Sequence, residues 1–175
     1  RKLNLRLYVL IVCNPFGKKR AYLHRDGKCL YTNKKYDANV TDLQHQITSL
    51  ELSPDIYQHL PLNFAELRRH WHREGIVFDT VFASIVAKLQ NVARATLPHV
   101  CVNRRLRKNT RFQLFGVDMI LTDTLEPYVL EFNKGPEMQP TSARDHQLKR
   151  VVLEDTFAMV GLISPPNRPN GYRPL

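Results

Sequence analysis

The chain is 175 residues long, carries a formal net charge of +10 and is 43% hydrophobic. That length suits one domain or a piece of a larger one, and the apolar content is enough for a packed core, which excludes wholesale disorder. The charge favours polyanionic partners (nucleic acid, ATP or acidic protein tails) without choosing among them.

No apolar run approaches the roughly 20 residues that span a bilayer, so no membrane partner is expected. The chain begins with Arg1 and an already strand-like run rather than with Met, which reads as a portion of a longer polypeptide. Cys13, Cys29 and Cys101 are odd in number and widely spaced. They fit reduced, structural thiols better than a disulfide framework or a zinc site.

Leu3, Leu5, Leu7, Val9, Ile11 and Cys13 alternate to make one apolar face, while Lys2, Asn4, Arg6 and Tyr8 begin the other. This predicts a strand over 2–13. Arg6 inside it needs an anionic partner or a wet cleft, and a salt bridge to a neighbouring strand is the plainer reading. Asn14-Pro15-Phe16-Gly17 is a turn. Ala21 to His24 and Cys29 to Thr32 then read as two strands of a meander about the tight turn Arg25-Asp26-Gly27-Lys28. Residues 36–46 are polar and read as loop. Asn63, with Glu66 three residues on, marks a helix start. The helix, over 64–71, runs into Arg68, Arg69, His70, His72 and Arg73, cations suited to a helix C-terminus and a solvated face. Val77, Val81, Phe82, Ile85, Val86, Leu89 and Val92 keep helical spacing over 76–97, and Pro98 ends that run. Between Arg104 and Arg111 lies a basic loop without interleaved aromatics, so attraction to any polyanion is a safer reading than base stacking.

Residues 114–121 and 128–133 predict a hairpin closed around Asp123 and Thr124. Asp118 shares a face with Leu114 and Gly116, and Glu131 and Asn133 lie two apart, so both point one way. In that hairpin Asp118 lies across from Glu131. Two close carboxylates repel and resist burial, and a divalent cation resolves both problems. Mg²⁺ held by one or two carboxylates plus nucleotide phosphates is the usual arrangement. The bland alternative is a half-exposed hairpin with ordinary surface acids. Residues 143–163 predict a last helix, and 164–175 a Pro-rich tail, extended or mobile. Strand, hairpins and helices together imply an α+β fold, a mixed, mostly antiparallel sheet with helices layered on one side. The histidines build no catalytic constellation. His70 and His72 fall on different sides of a helix, and His45 alone is more often a structural donor.

Three stretches resemble one family in order. Lys2-Leu-Asn-Leu-Arg-Leu-Tyr-Val-Leu is similar to the Lys-Phe-Asp-Leu-Arg-x-Tyr-Val-Leu strand of the tubulin-tyrosine ligase and polyglutamylase family. His45-Gln-Ile-Thr-Ser49 resembles its His-Leu-Thr-Asn element. Phe115-Gly-Val-Asp-Met-Ile-Leu, followed by Glu-Pro-Tyr-Val-Leu-Glu-Phe-Asn-x-x-Pro136, resembles its Phe-Gly-x-Asp-x-Leu and Pro-Trp-Leu-Leu-Glu-Val-Asn-x-x-Pro signature. The resemblance implies the C-terminal half of an ATP-grasp catalytic core over 1–163. The N-terminal half would lie before Arg1. It further implies ATP- and Mg²⁺-dependent joining of an amino acid to a protein carboxylate, on tubulin or a similar acidic tail, through an acyl phosphate. By resemblance Asp118, Glu131 and Asn133 hold Mg²⁺, Lys2, Asn4 and Arg6 meet the nucleotide, Arg6 stabilises charge during transfer, and Thr48 lies near the acceptor and incoming amine.

Departures accompany it. The family Asp is Asn4 here, the family Asn is Ser49, and Leu30 stands where the family grips an acidic substrate with Arg, with Lys28 offset from that place. Glu137 and Met138 follow Pro136 where small residues are preferred. Metal ligands are kept while substrate-side residues change. Two classes of function follow: an active protein–amino-acid ligase of the cytoplasm, cytoskeleton or cilium, or a degenerate ligase-like module. The module would sit on microtubules or in a ribonucleoprotein such as a mitochondrial ribosome, where the Arg104–Arg111 loop would meet RNA.

Overall fold

The alternating run at the start of the chain forms β1 (Leu3–Cys13), the central strand of the sheet. The computed structural model describes residues 1–50, 52–53, 55–101 and 111–175. Beyond β1 come β2 (Lys19–His24), β3 (Lys28–Tyr31), α1 (Ile56–His59), α2 (Phe64–Arg73), α3 (Phe78–Thr96), β4 (Arg111–Leu121), β5 (Pro127–Lys134), α4 (Ala143–Met159) and β6 (Tyr172–Pro174). The sheet order is β5-β4-β1-β2-β6, with β3 also on β1. Every pairing among these strands is antiparallel. The architecture is α+β, as the sequence pattern implies.

The expected meander does not form. β1 is eleven residues long, enough to pair with two short strands end to end. Its second half pairs with β2 (Val9 opposite Leu23) and its first half with β3 (Arg6 opposite Lys28). The link between β2 and β3 is therefore a step along β1 rather than a hairpin turn. Gly27 makes the step possible, because a Cβ there would lie 2.5 Å from the Arg6 carbonyl oxygen and 2.6 Å from the Phe64 ring. Asp26 Oδ1 accepts the Gly27 and Phe64 N–H groups, both at 2.9 Å, tying the step to the start of α2.

Odd-numbered residues of β1 face α2 and α3. Leu5, Leu7 and Val9 pack there with Val117, Met119, Phe64, Leu67, Phe78, Phe82, Ile85 and Leu89. Asn63 caps α2 by accepting the Glu66 N–H at 2.9 Å, and Glu66 reaches back to the Leu62 N–H at 2.8 Å, one residue short of a full capping box. Helices cover both faces, not one as expected. The even face meets α4, through Lys28 to Asp145 and His24 to Asp155. α4 ends earlier than its pattern predicted because Gly161 takes φ +77°. Its N–H bonds the Ala158 carbonyl, and the Leu162 N–H the Phe157 carbonyl, a Schellman stop.

The cysteine expectation is overturned. Cys13 at the end of β1 and Cys101 form a disulfide across 88 residues, and Cys29 is the free, buried thiol. Wide sequence spacing said nothing of proximity, which the β1–β4 pairing creates by bringing Cys13 opposite Arg111. The Pro-rich tail is extended, and its end is fixed. β6 pairs with β2, and the buried Asp155 accepts the Gly171 N–H at 2.7 Å.

Candidate functional site

Register alone gathers the site. Glu131 on β5 stands opposite Asp118 on β4, Asp118 opposite Arg6 on β1, and Arg6 opposite Lys28 on β3. Four neighbouring strands thus contribute one charged residue each to a single row on the even face. Strands lie about 4.8 Å apart, so the row runs roughly 14 Å from the first residue to the last. A bulge between Asp118 and Met119 lets β5 keep Glu131 in that row while Val129 pairs with Met119.

Arg6 forks onto Asp118. Its Nη2 lies 2.9 Å from Oδ2, and its Nε donates to Oδ1. The hydrogen bond and charge of Asp118 outweigh burial and raise the Arg6 pKa above its ordinary value. The fork requires Gly116 on the adjoining strand. A Cβ there would lie 2.8 Å from the Pro136 Cβ and 3.0 Å from the Arg6 Cδ, so the guanidinium stem rests on bare backbone. Asp118 is buried and Glu131 exposed, and Asn133 donates its amide N–H to Glu131 Oε1 at 2.8 Å. With the Asn133 amide nitrogen so engaged, its Oδ1 is the group left for a cation.

The other predicted residues line the same face. Asn4 donates to Thr48 Oγ1 at 2.9 Å, and its Oδ1 is buried without a hydrogen-bond partner. Lys2 Nζ donates to the Gln46 carbonyl at 3.1 Å. Leu30, the departure opposite Asn4, also projects here. Ser49 has φ +65°, a left-handed conformation that Asn takes more readily than Ser. His45 bonds the Lys35 carbonyl at 2.6 Å, a structural contact.

Two contributors, Asp145 and Lys149, were missed. Asp145, wholly buried at the start of α4, lies 2.9 Å from Lys28 Nζ and 3.1 Å from Lys149 Nζ. It also accepts the Thr141 N–H at 2.9 Å. Burial works against the Asp145 carboxylate, but the Lys28 hydrogen bond, the Thr141 N–H and Lys149 prevail and hold its pKa below the usual range. The available signal was Ser142-x-x-Asp145, a helix start, with Lys149 one turn on. Ser142 Oγ does accept the Asp145 N–H at 3.2 Å. Burial lowers the Lys28 pKa, and Asp145 only partly offsets it.

Two carboxylates and an amide oxygen on adjacent strands are hard donors of the kind Mg²⁺ takes. Among the described residues no three acidic, His or Cys side chains form a closed metal cage. Mg²⁺ does not need one when phosphates complete its shell. The donor types suit a nucleotide-bound magnesium: Arg6 holds both Asp118 oxygens, but each keeps a second lone pair. The basic stretch before Arg111 lies outside the described residues. Among those described, no helix is long and apolar enough to cross a membrane.

The family model of the tubulin-tyrosine ligase family matches residues 1–170. The chain is 27% identical to the probable tubulin polyglutamylase TTLL9 of Bos taurus over 93% of its own length and 35% of that protein. It is 20% identical to the tubulin polyglutamylase TTLL5 of Homo sapiens, covering 93% of the chain and 14% of the relative. It is 25% identical to the tubulin monoglutamylase TTLL4 of Mus musculus, covering 94% and 15%. The chain thus spans about a third or less of these relatives.

Proposed function

The chain belongs to the tubulin-tyrosine ligase family, and from that premise we propose that the protein carrying it joins an amino acid to a carboxylate of an acidic protein tail, tubulin being the first candidate. In this reading ATP is the energy source. The γ-phosphoryl group passes to the acceptor carboxylate, giving an acyl phosphate and ADP. The amine of the incoming amino acid then attacks the acyl carbon, an amide bond forms, and inorganic phosphate leaves with the electron pair of the broken C–O bond.

What supports the reading is the cross-strand row Glu131–Asp118–Arg6 in a chain matched to the family almost end to end. Carboxylate and amine do not condense unaided in water, and phosphoryl transfer is catalysed chiefly by placed cations and donors. Asp118, Glu131 and the Asn133 carbonyl oxygen would hold Mg²⁺, which supplies neutralisation of phosphate charge when bound. Arg6, a fixed guanidinium fork beside that set, stabilises charge spreading onto the transferred group. Lys2 and Asn4 extend the nucleotide-facing side of the strand. Thr48, held by Asn4, would lie near the acceptor and the incoming amine. The +10 charge suits an acidic acceptor, and the setting this implies is the cytoskeleton or cilium.

The test is incorporation of labelled glutamate into tubulin-tail peptides by the full-length protein. ATP-dependent incorporation is expected, with release of one phosphate per residue added. No transfer of glutamate, glycine or tyrosine under any nucleotide condition would contradict the proposal.

A further inference from the structure

Lys149 is a buried cation that the proposed chemistry does not use. Its side chain is 5% exposed, and its ammonium has two partners, Asp145 at 3.1 Å and the Gln139 carbonyl at 2.5 Å. Asp145 is well satisfied without it. Lys28 Nζ lies 2.9 Å away, and Thr141 donates both its N–H and its hydroxyl. Burying a second lysine beside one carboxylate is costly, so the bond to Gln139 is the distinctive thing that this cation does.

Gln139 belongs to the loop 135–141, which leaves β5 directly after Asn133 and Lys134 and leads to α4. Gly135 turns the chain off the strand with φ +73°, and Pro136 is buried. A Cβ at Gly116 would lie 2.8 Å from the Pro136 Cβ and 3.0 Å from the Arg6 Cδ. The proline ring and the guanidinium stem therefore stand side by side over one bare stretch of backbone. Glu137 Oε1 accepts the Gln139 N–H at 2.6 Å, which stiffens the middle of the loop. Its far end is tied to α4 twice, Gln139 to Lys149 and Thr141 to Asp145.

We propose that Lys149 is a positioning residue for phosphoryl transfer: by holding the Gln139 carbonyl it sets the loop 135–141, and through Pro136 it seats Arg6 against Asp118. The inference rests on the ligase reading above. Its effect falls on one step. Asp118, Glu131 and Asn133 are fixed by the β4–β5 ladder, so the groups suited to metal and phosphate stay in place when the loop shifts. Arg6 instead relies on what flanks its side chain, Asp118 in front and Pro136 beside the stem. A loosened loop lets the guanidinium swing away, and a small misplacement of a charge-stabilising donor costs rate far more than it costs binding.

The experiment compares the full-length protein with K149M, K149R, P136A and the double variant K149M/P136A. P136A leaves Lys149 and Asp145 untouched, so it tests the route even where K149M folds poorly. Readouts are kcat and KM for ATP in glutamate incorporation, amide hydrogen exchange over 135–141, and the thermal midpoint. K149M is expected to lower kcat about tenfold or more, with KM for ATP within about twofold of wild type. It is also expected to quicken exchange across the loop. P136A is expected to show the same split, and K149R to recover most of the lost kcat. The double variant is expected to be no slower than the slower single variant, because both act through one loop. A lysine that merely balances Asp145 would lower the midpoint and leave kcat alone. Wild-type kcat in folded K149M or in P136A, unchanged exchange in K149M, or losses that multiply in the double variant overturns the positioning role while leaving the ligase reading standing. A wild-type protein that transfers no amino acid overturns both.

Discussion

At the scale of single residues the site depends on what is absent as much as on what is present. Arg6 reaches Asp118 because Gly116 offers no side chain beneath it. Gly116→Ala is expected to push the guanidinium off its carboxylate and lower kcat at least tenfold, while the fold survives. Circular dichroism alongside steady-state kinetics checks this, and a fully active, well-folded variant would count against the geometry. The sequence made the polar residues of this row legible, because Asp118, Glu131 and Asn133 interrupt apolar strands at a spacing of two. It also set Asp118 across from Glu131, as the register does, but it did not reveal the partners on other elements. Lys28 read as an offset substitute for an arginine until the pairing of β3 with β1 placed it opposite Arg6. Asp145 lies on another element altogether, and no local pattern connects residues 28 and 145. Cys13 and Cys101 show the same limit, since contact between distant residues is a property of the assembled sheet.

At the scale of elements, α4 is the brace that holds the even face together. Its first turn presents Asp145 to Lys28, and its middle presents Asp155 to His24. Helical periodicity made α3 and α4 legible to within a few residues, because an apolar stripe marks a helix wherever it packs, and the Asn63 cap with Glu66 did the same for α2. The stripe does not say which face of a sheet it covers, so α4 was placed on the wrong side. The start of α4 also carries a pH dependence. The Asp145 carboxylate lies below its unfolded-state value through Lys28, Thr141 and Lys149, so its contribution to stability is present above about pH 4. That contribution is lost as pH falls through the folded-state value. Asp145→Asn is expected to cost about 3 kcal/mol at neutral pH, because it strands two ammonium groups around a neutral amide. The gap from wild type should begin to narrow below about pH 4 and keep narrowing as pH falls through the folded-state value, where the native carboxylate is protonated. Urea denaturation at pH 7 and pH 3 measures both, and a gap of the same size at the two pH values would show that packing rather than charge is responsible.

At the scale of the whole molecule, one antiparallel sheet carries the core on its odd face and a line of alternating chemistry on its even face. The same strands do both jobs because alternate residues point opposite ways, so β1 buries Leu5 and Leu7 while offering Asn4 and Arg6. In the proposed function this even face holds a magnesium nucleotide between Asp118, Glu131 and Arg6. The most direct measurement is isothermal titration of ATP into the full-length protein with Mg²⁺ and with EDTA, repeated for Asp118→Asn and Glu131→Gln. Binding is expected to need Mg²⁺ and to fall at least tenfold in each variant, with the thermal midpoint of Glu131→Gln close to wild type because Glu131 is exposed. Equal ATP affinity in EDTA, or unchanged affinity in both variants, would contradict it.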